Sequence, residues 1–331
     1  METISREASS PQPPARTPRH VNHPAALIRA LRPTQWTKNV LVVLALLFAH
    51  RLGDVAALMR VGIAFAAFSL ASSAVYVVND LADRERDLAH PTKRKRPIAS
   101  GQVNTAGAIA LLVVCLAGAG ALTAWLDMLL SGQRDDPFGA WGGSGLLFTL
   151  SIGAYLGLNA AYSLRLKHIV LWDVFIIAAG FVLRALAGAL AVPVPISSWF
   201  YLCITFGALF LALGKRRAEV VSLAGSAATH RKNLADYPLQ LLDQLMVIVV
   251  TCTVISYSLY TFQGEWAGKA LELTIPFVLF GIFRYLYLVY ARGEGAHPDE
   301  LLRRDPQLIG VLVCWLVAVV TLLYVVPGLR A

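Results

Sequence analysis

The sequence predicts an all-α, polytopic membrane protein, and three observations carry that prediction. Only 15% of the 331 residues are charged while 57% are hydrophobic, and the mean hydropathy is +0.61, well outside the range of soluble chains. Apolar runs long enough to cross about 30 Å of hydrocarbon recur from one end to the other. The basic residues behind the net charge of +9 sit in short connections between those runs, which fits membrane topology and excludes a nucleic-acid-binding module.

Taken in order, the apolar runs number nine: 27–49, 57–79, 104–130, 144–164, 169–191, 196–214, 241–262, 271–291 and 308–326. Residues 1–25 precede them, rich in Pro, Ser and Arg and without the apolar stretch of a signal peptide. That tail is expected to be disordered, ahead of one catalytic membrane domain over 26–331. With the N-terminus in the cytoplasm, the loops at 80–103, 165–168, 215–240 and 292–307 hold sixteen Lys and Arg. The opposite loops and the C-terminus hold four: Arg51, Arg134, Lys269 and Arg330. The imbalance predicts a multi-pass protein of the inner (plasma) membrane with its N-terminus inside and its C-terminus outside.

The first run is the least regular, because its purely apolar part, Val40 to Ala49, is too short to cross alone and must include Leu27 to Asn39. Arg32, Gln35, Trp36 and Lys38 then lie at the cytoplasmic face. Arg32 and Lys38 are either snorkelling anchors or, for Lys38, a phosphate ligand turned inward. The four cysteines, Cys115, Cys203, Cys252 and Cys314, fall inside apolar runs without ligand spacing. No disulfide, zinc or redox role is expected of them.

The second run ends in the most charged stretch of the chain, Tyr76 to Gly101, where nine charged side chains fall between Asp83 and Arg96. On a helix Asn79, Asp83 and Asp87 recur at i, i+4 and i+8, with Asp80 beside the first, so several oxygens can share one face. Such a set suits Mg²⁺, which combines a few protein oxygens with the phosphate oxygens of a substrate. Lys93-Arg94-Lys95-Arg96 follows, and cations beside the metal neutralise a diphosphate. The plainer alternative is a solvated loop whose charges only set topology.

Two more polar groups lie on the same side. Asn159, Tyr162, Ser163 and Lys167 can line one wall where the fourth run leaves the membrane, with Asp173 beyond them. His168 is left without a role. Lys215-Arg216-Arg217 and Glu219 close the sixth run, with His230 to Asn233 in the loop beyond, either as inside-positive charge or as a second anion site. Arg184, in the fifth run, is some 24 Å of helix from the cytoplasmic end. It is expected outside the active site, in an internal polar network or snorkelling outward.

The fragments RPTQWTKN at 32–39, NDLADRERDLAHPTKRKRPIASG at 79–101 and YSLRLKH at 162–168 resemble the UbiA superfamily of intramembrane prenyltransferases over most of the chain. The resemblance implies a nine-helix bundle with a central cavity open to the cytoplasm and laterally to lipid. It also implies that Asn79 and Asp83 are the metal ligands of a Mg²⁺-diphosphate motif, with Asp80, Asp83 and Asp87 as its catalytic carboxylates. Where ordinary members carry a second acidic motif this chain has Gly214-Lys-Arg-Arg-Ala-Glu219, which together with WTKN and HPTKRKRPIASG looks like the branch that transfers phosphoribose to decaprenyl phosphate. The partners so implied are phosphoribosyl diphosphate, decaprenyl (polyprenyl) phosphate and membrane lipid; a homo-oligomer is left open. Lys38, Tyr76, Asn79, Lys93, Tyr162, Lys167 and Lys215 are the substrate-binding candidates, without a choice of which serves which phosphate. Two rival functions share some of these features: transfer of a prenyl group to an aromatic acceptor, and transport of an anionic lipid. Paired broken helices at the midplane would mark the second, and none is visible.

Overall fold

The computed structural model describes residues 21–133, 135–224, 236–263, 268–296 and 298–325. Among these there are helices, turns and no strand. Most of the expected tail, residues 1–20, lies outside the described part, as does the basic cluster at 230–233. The end of the tail is structured: Asn22 takes the Gln102 carbonyl at 2.8 Å and Asn104 Oδ1 at 3.0 Å, and a helix begins at Pro24.

Among the described residues eight helical stretches are long and apolar enough to cross a membrane, matching eight of the nine expected runs. The first expected run, 27–49, is not one helix. It consists of α1 (Pro24–Leu31), a 3₁₀ segment (Pro33–Val40) and α2 (Leu41–Phe48). Arg32 between the first two has φ 54°, ψ 59°, a left-handed conformation that ends α1; the proline after it disfavours the right-handed alternative. The polar side chains of the 3₁₀ segment then bond across to the next helix, α3 (Val55–Ala82). Trp36 Nε1 donates to Ser73 Oγ at 3.0 Å, and Asn39 Nδ2 to Ser69 Oγ at 3.0 Å.

After α3 come the short α4 (Arg84–Ala89), then α5 (Thr105–Leu130), α6 (Gly143–Leu164) and α7 (Trp172–Ala191). α8 (Ser198–Ala224), α9 (Leu239–Gln263), α10 (Ile275–Ala291), the short α11 (Pro298–Arg304) and α12 (Pro306–Val320) complete the chain. Asn104 and Asp54 cap the starts of α5 and α3 with their side-chain oxygens. Consecutive long helices pack side by side from α5 to α9, and α2 lies between α3 and α7. At the far end, Tyr324 donates to the Leu47 carbonyl at 2.7 Å, and Leu47, Leu271, Val319 and Leu323 form a shared apolar cluster. The last span thereby meets the first.

α3 and α7 are the most enclosed spans, with 61% and 67% of their apolar windows buried against 17–33% in the others. The packed face of α3 is rich in Ala and Ser and that of α7 in Ala and Gly, which lets neighbouring backbones approach. At Gly188 the demand is strict: a Cβ there would stand 2.1 Å from the Val42 carbonyl, so only glycine lets α2 seat against α7. The lipid-facing helices differ: α5 exposes Ile109, Val113 and Val114, and α12 exposes Leu312, Val313 and Val317. α8 corrects one expected boundary. It continues as helix past residue 214 to Ala224, so Lys215, Arg216 and Arg217 stand on a helix, and the loop expected from 215 starts later.

Candidate active site

α3 carries the acidic stretch to the end of a span. Asn79 and Asp80 lie in its last turn, and the Asp83 N–H closes that turn on the Asn79 carbonyl at 2.9 Å. Asp83 ends α3 with φ −96°, ψ 10°, and α4 starts at the next residue. Helical hydrogen bonding resumes across the break, since the Asp87 N–H takes the Asp83 carbonyl at 2.8 Å.

The four side chains do not form the single ligand face that their spacing suggests. Asn79 turns to α6, where its Oδ1 accepts from Ser163 Oγ at 2.7 Å. Asp83 remains about a third exposed, with Arg86 at 3.5 Å. Asp80 and Asp87 are buried and held by arginines. Asp80 Oδ1 takes Arg32 at 2.5 Å and Arg96 at 3.1 Å, and Asp87 Oδ2 takes the same Arg96 Nη1 at 2.6 Å. The cause is electrostatic, because a buried carboxylate needs a counter-ion or a metal. The result is a clamp in which α1's last turn and the 90–101 connection are both fixed to α3. Asp80 Oδ2 is buried and has no hydrogen-bond partner, so one acceptor of the pair stays open.

Through the Ser163–Asn79 bond the end of α6 joins the end of α3, and Tyr162 and Lys167 lie beside that contact, both half-buried. Lys38, from the 3₁₀ segment, and Tyr162 are both within electrostatic range of Lys215 on α8. Lys38, Tyr162 and Lys215 come from three separate elements. Tyr76, one turn before Asp80, has the Arg32 guanidinium over its ring at 5.0 Å. Lys93, on a short 3₁₀ turn after α4, is exposed at the rim.

Of the three consecutive cations on α8, two are spoken for. Arg216 is 2% exposed and pairs with Asp173 Oδ2 at 2.7 Å and with Glu219. Arg217 pairs with Asp243 at 2.7 Å and stacks over Tyr290 at 3.9 Å. The expectation that this segment as a whole offers cations to an anion therefore narrows to Lys215. Asp173, expected at the pocket, is instead the centre of a structural network: its Oδ1 also accepts from Tyr237 at 2.6 Å, whose own oxygen takes the Leu171 N–H at 2.7 Å. Burial and the bond to Asp173 push the Tyr237 hydroxyl well above its ordinary pKa, so it stays a donor.

Sequence reading missed Arg96 as the partner of two carboxylates and Arg216 as a buried ion-pair member. Both sit in basic runs, where nothing local distinguishes a cation that folds inward from one that faces water. Their signal is only the arithmetic of charge: Asp80, Asp87 and Asp173 lie in or against apolar helices and require partners.

Among the described residues no group of three or more His, Cys, Asp or Glu side chains could enclose a metal ion. Mg²⁺ commonly takes one or two protein oxygens and completes its shell with phosphate and water. Asn79 and Asp83 fit an ion of that kind. Ser163 occupies one lone pair of Asn79 Oδ1 and leaves the second available, while Asp83 keeps its accessibility. The donor set therefore fits a metal that arrives with a diphosphate.

Comparison with known proteins follows the same line. The model of the UbiA prenyltransferase family matches residues 39–301. A decaprenyl-phosphate phosphoribosyltransferase of Corynebacterium glutamicum is 35% identical over 91% of this chain and 87% of its own length. A protein of the same name from Mycobacterium tuberculosis is 35% identical over 93% of this chain and 95% of its own. Among solved structures, a UbiA homolog from Archaeoglobus fulgidus bound to DMAPP and Mg²⁺ superposes with a TM-score of 0.63, at 17% identity, over 91% of this chain and 99% of that one. A digeranylgeranylglyceryl phosphate synthase gives 0.60 at 14% identity, over 93% and 99%. At those identities the likeness is one of fold.

Proposed function

The chain belongs to the UbiA prenyltransferase family, and we propose that it transfers 5-phosphoribose from phosphoribosyl diphosphate to decaprenyl phosphate, giving decaprenylphosphoryl-5-phosphoribose and diphosphate. The product is a precursor for arabinan in the cell wall. The names of its 35%-identical relatives support this reading. The observation that carries it is the Asn79–Ser163 bond. That bond joins Asn79, beside Asp83, to the end of α6 next to Tyr162, which like Lys38 lies within electrostatic range of Lys215, and on this reading one end of the bundle offers both a diphosphate site and cations for further phosphates.

Asn79 and Asp83 would hold Mg²⁺ on the donor's diphosphate, and the ion would supply charge neutralisation on the leaving group. Lys93 and Lys38 add positive charge to the same oxygens, which favours departure of diphosphate with the electron pair of the C1–O bond. Tyr162, Lys167 and Lys215 hold the ribose 5-phosphate and the lipid phosphate. An oxygen of that lipid phosphate then bonds to C1. The acceptor is already an anion, so the chain needs no general base. Asp80 and Asp87 act through Arg32 and Arg96, keeping the first segment and the 90–101 connection against α3. Tyr76 packs under Arg32 in the same clamp.

The inner-membrane location, the cytoplasmic N-terminus and an active site facing the cytosol belong to this reading, supported by the distribution of Lys and Arg. Membranes containing the protein, given labelled phosphoribosyl diphosphate, polyprenyl phosphate and Mg²⁺, are expected to form a labelled, acid-labile lipid. No labelled lipid, with turnover of a prenyl diphosphate and an aromatic acceptor instead, would assign the chain to the other activity of its family.

A further inference from the structure

Arg184 is a buried charged side chain that the proposed chemistry leaves unused. It lies inside α7, 5% exposed, where a charge is costly to insert and needs partners. No carboxylate among the described residues offsets it, for Arg184 takes no part in the ion pairs found there. Three neutral acceptors receive it instead. Nε donates to Asn39 Oδ1 at 2.7 Å, Nη1 to the Gly180 carbonyl at 2.6 Å, and Nη2 to Tyr155 Oη at 3.0 Å. The guanidinium also stands over the Tyr155 ring at 4.7 Å.

The chain of bonds crosses four elements: Tyr155 on α6, Arg184 on α7, Asn39 on the 3₁₀ segment and Ser69 on α3, through Asn39 Nδ2 at 3.0 Å. One helical turn on, Gly188 seats Val42 against α7. Residues 184 and 188 thus use one face of α7 to fix the first span. What the network fixes there is a segment with weak internal order, because 3₁₀ hydrogen bonds are poorly aligned and successive side chains are about 120° apart. With Asn39 held inward, the azimuth of its neighbour Lys38 follows.

We propose that Arg184 is a positioning residue, which through Asn39 sets the rotation of the 33–40 segment and so brings Lys38 to the phosphate-binding group with Tyr162 and Lys215. This rests on the proposed role of Lys38. Arg184 itself touches no reacting atom.

A double-mutant cycle tests it. Lys38→Met, Arg184→Gln and the double variant are compared by kcat/KM for phosphoribosyl transfer, with thermal unfolding in detergent as the control for folding. Arg184→Gln is expected to lose about ten- to a hundredfold, and the double variant to equal Lys38→Met within about twofold. Losses that multiply, or an Arg184→Gln protein with unchanged kcat/KM, would overturn the inference while leaving the role of Lys38 intact. A folded Lys38→Met protein of full activity would remove both. If Arg184→Gln does not fold, Asn39→Ala enters the same cycle with the same two outcomes, and Asn39→Asp, which restores an acceptor for Arg184, is expected to recover activity that Asn39→Ala loses.

Discussion

Asp83 and Asp80 are three residues apart and have been given opposite work by their surroundings. Asp83 ends α3 where solvent reaches it, and Asp80, one turn earlier, is 2% exposed and locked to Arg32 and Arg96. Asp83→Ala is therefore expected to abolish phosphoribosyl transfer, by about 10²–10³-fold or more as for removal of a charge-stabilising group at a reacting centre, while the protein still extracts and unfolds like the wild type. Asp87→Asn breaks only the clamp on the 90–101 connection. It is expected to raise the KM for phosphoribosyl diphosphate several-fold with kcat less affected, which steady-state kinetics separates. The motif's spacing was legible in the sequence. The division of its carboxylates was not, since Arg32 and Arg96 lie 48 and 16 residues from Asp80 among other basic residues of the same appearance.

Between elements the same principle decides which contacts hold the bundle. The Arg216–Asp173–Tyr237 network ties α8 and the start of α9 to the first turn of α7, and nothing local in the sequence marks it: Tyr237 and Asp173 are 64 residues apart. Asp173→Asn removes the fully buried carboxylate of the network and leaves Arg216 only the partly exposed Glu219, a loss below the about 3–5 kcal/mol typical when a buried charge is left with no partner. A marked fall in the unfolding temperature in detergent is the expected result, larger than for Arg86→Ala, whose exposed contact with Asp83 contributes little. At the other side of the bundle Asp305 caps α12 and pairs with Arg284 of α10 at 2.7 Å. The Arg284 side chain and the capped N–H groups hold its carboxyl below the ordinary aspartate value. A depressed folded pKa stabilises above the unfolded value, near 3.9, and that contribution is lost as pH falls through the folded one. Acid unfolding curves should accordingly separate wild type from Asp305→Asn at neutral pH and converge below about pH 4. The break in the first span had a local sign in Arg32-Pro33, followed by a polar run too short of apolar residues for a regular span. Its 3₁₀ geometry had none, because it depends on Ser69, Ser73 and Arg184 from other helices.

For the molecule as a whole, hydropathy was enough to place eight spans, all but the long end of α8 to within a few residues, because a bilayer constrains length and polarity more tightly than water does. Closure of the ring through Tyr324 and α2 was not legible, being made of apolar side chains that look alike in sequence. On the proposed reading the functional end draws on Asn79, Asp83, Lys38, Tyr162 and Lys215 from four separate stretches, and the donor would arrive with its metal at a protein that supplies two oxygens and a set of lysines. The direct test is a structure determined with phosphoribosyl diphosphate and Mn²⁺ in place of Mg²⁺, the metal located by its anomalous signal. The account predicts the ion on Asn79 Oδ1 and an Asp83 oxygen, at about 2.0–2.2 Å for a hard cation of this size, sharing its shell with the diphosphate, with Lys38 turned to the same donor. A metal bound elsewhere, with Asp83 left in bulk water while the donor is present, would contradict it.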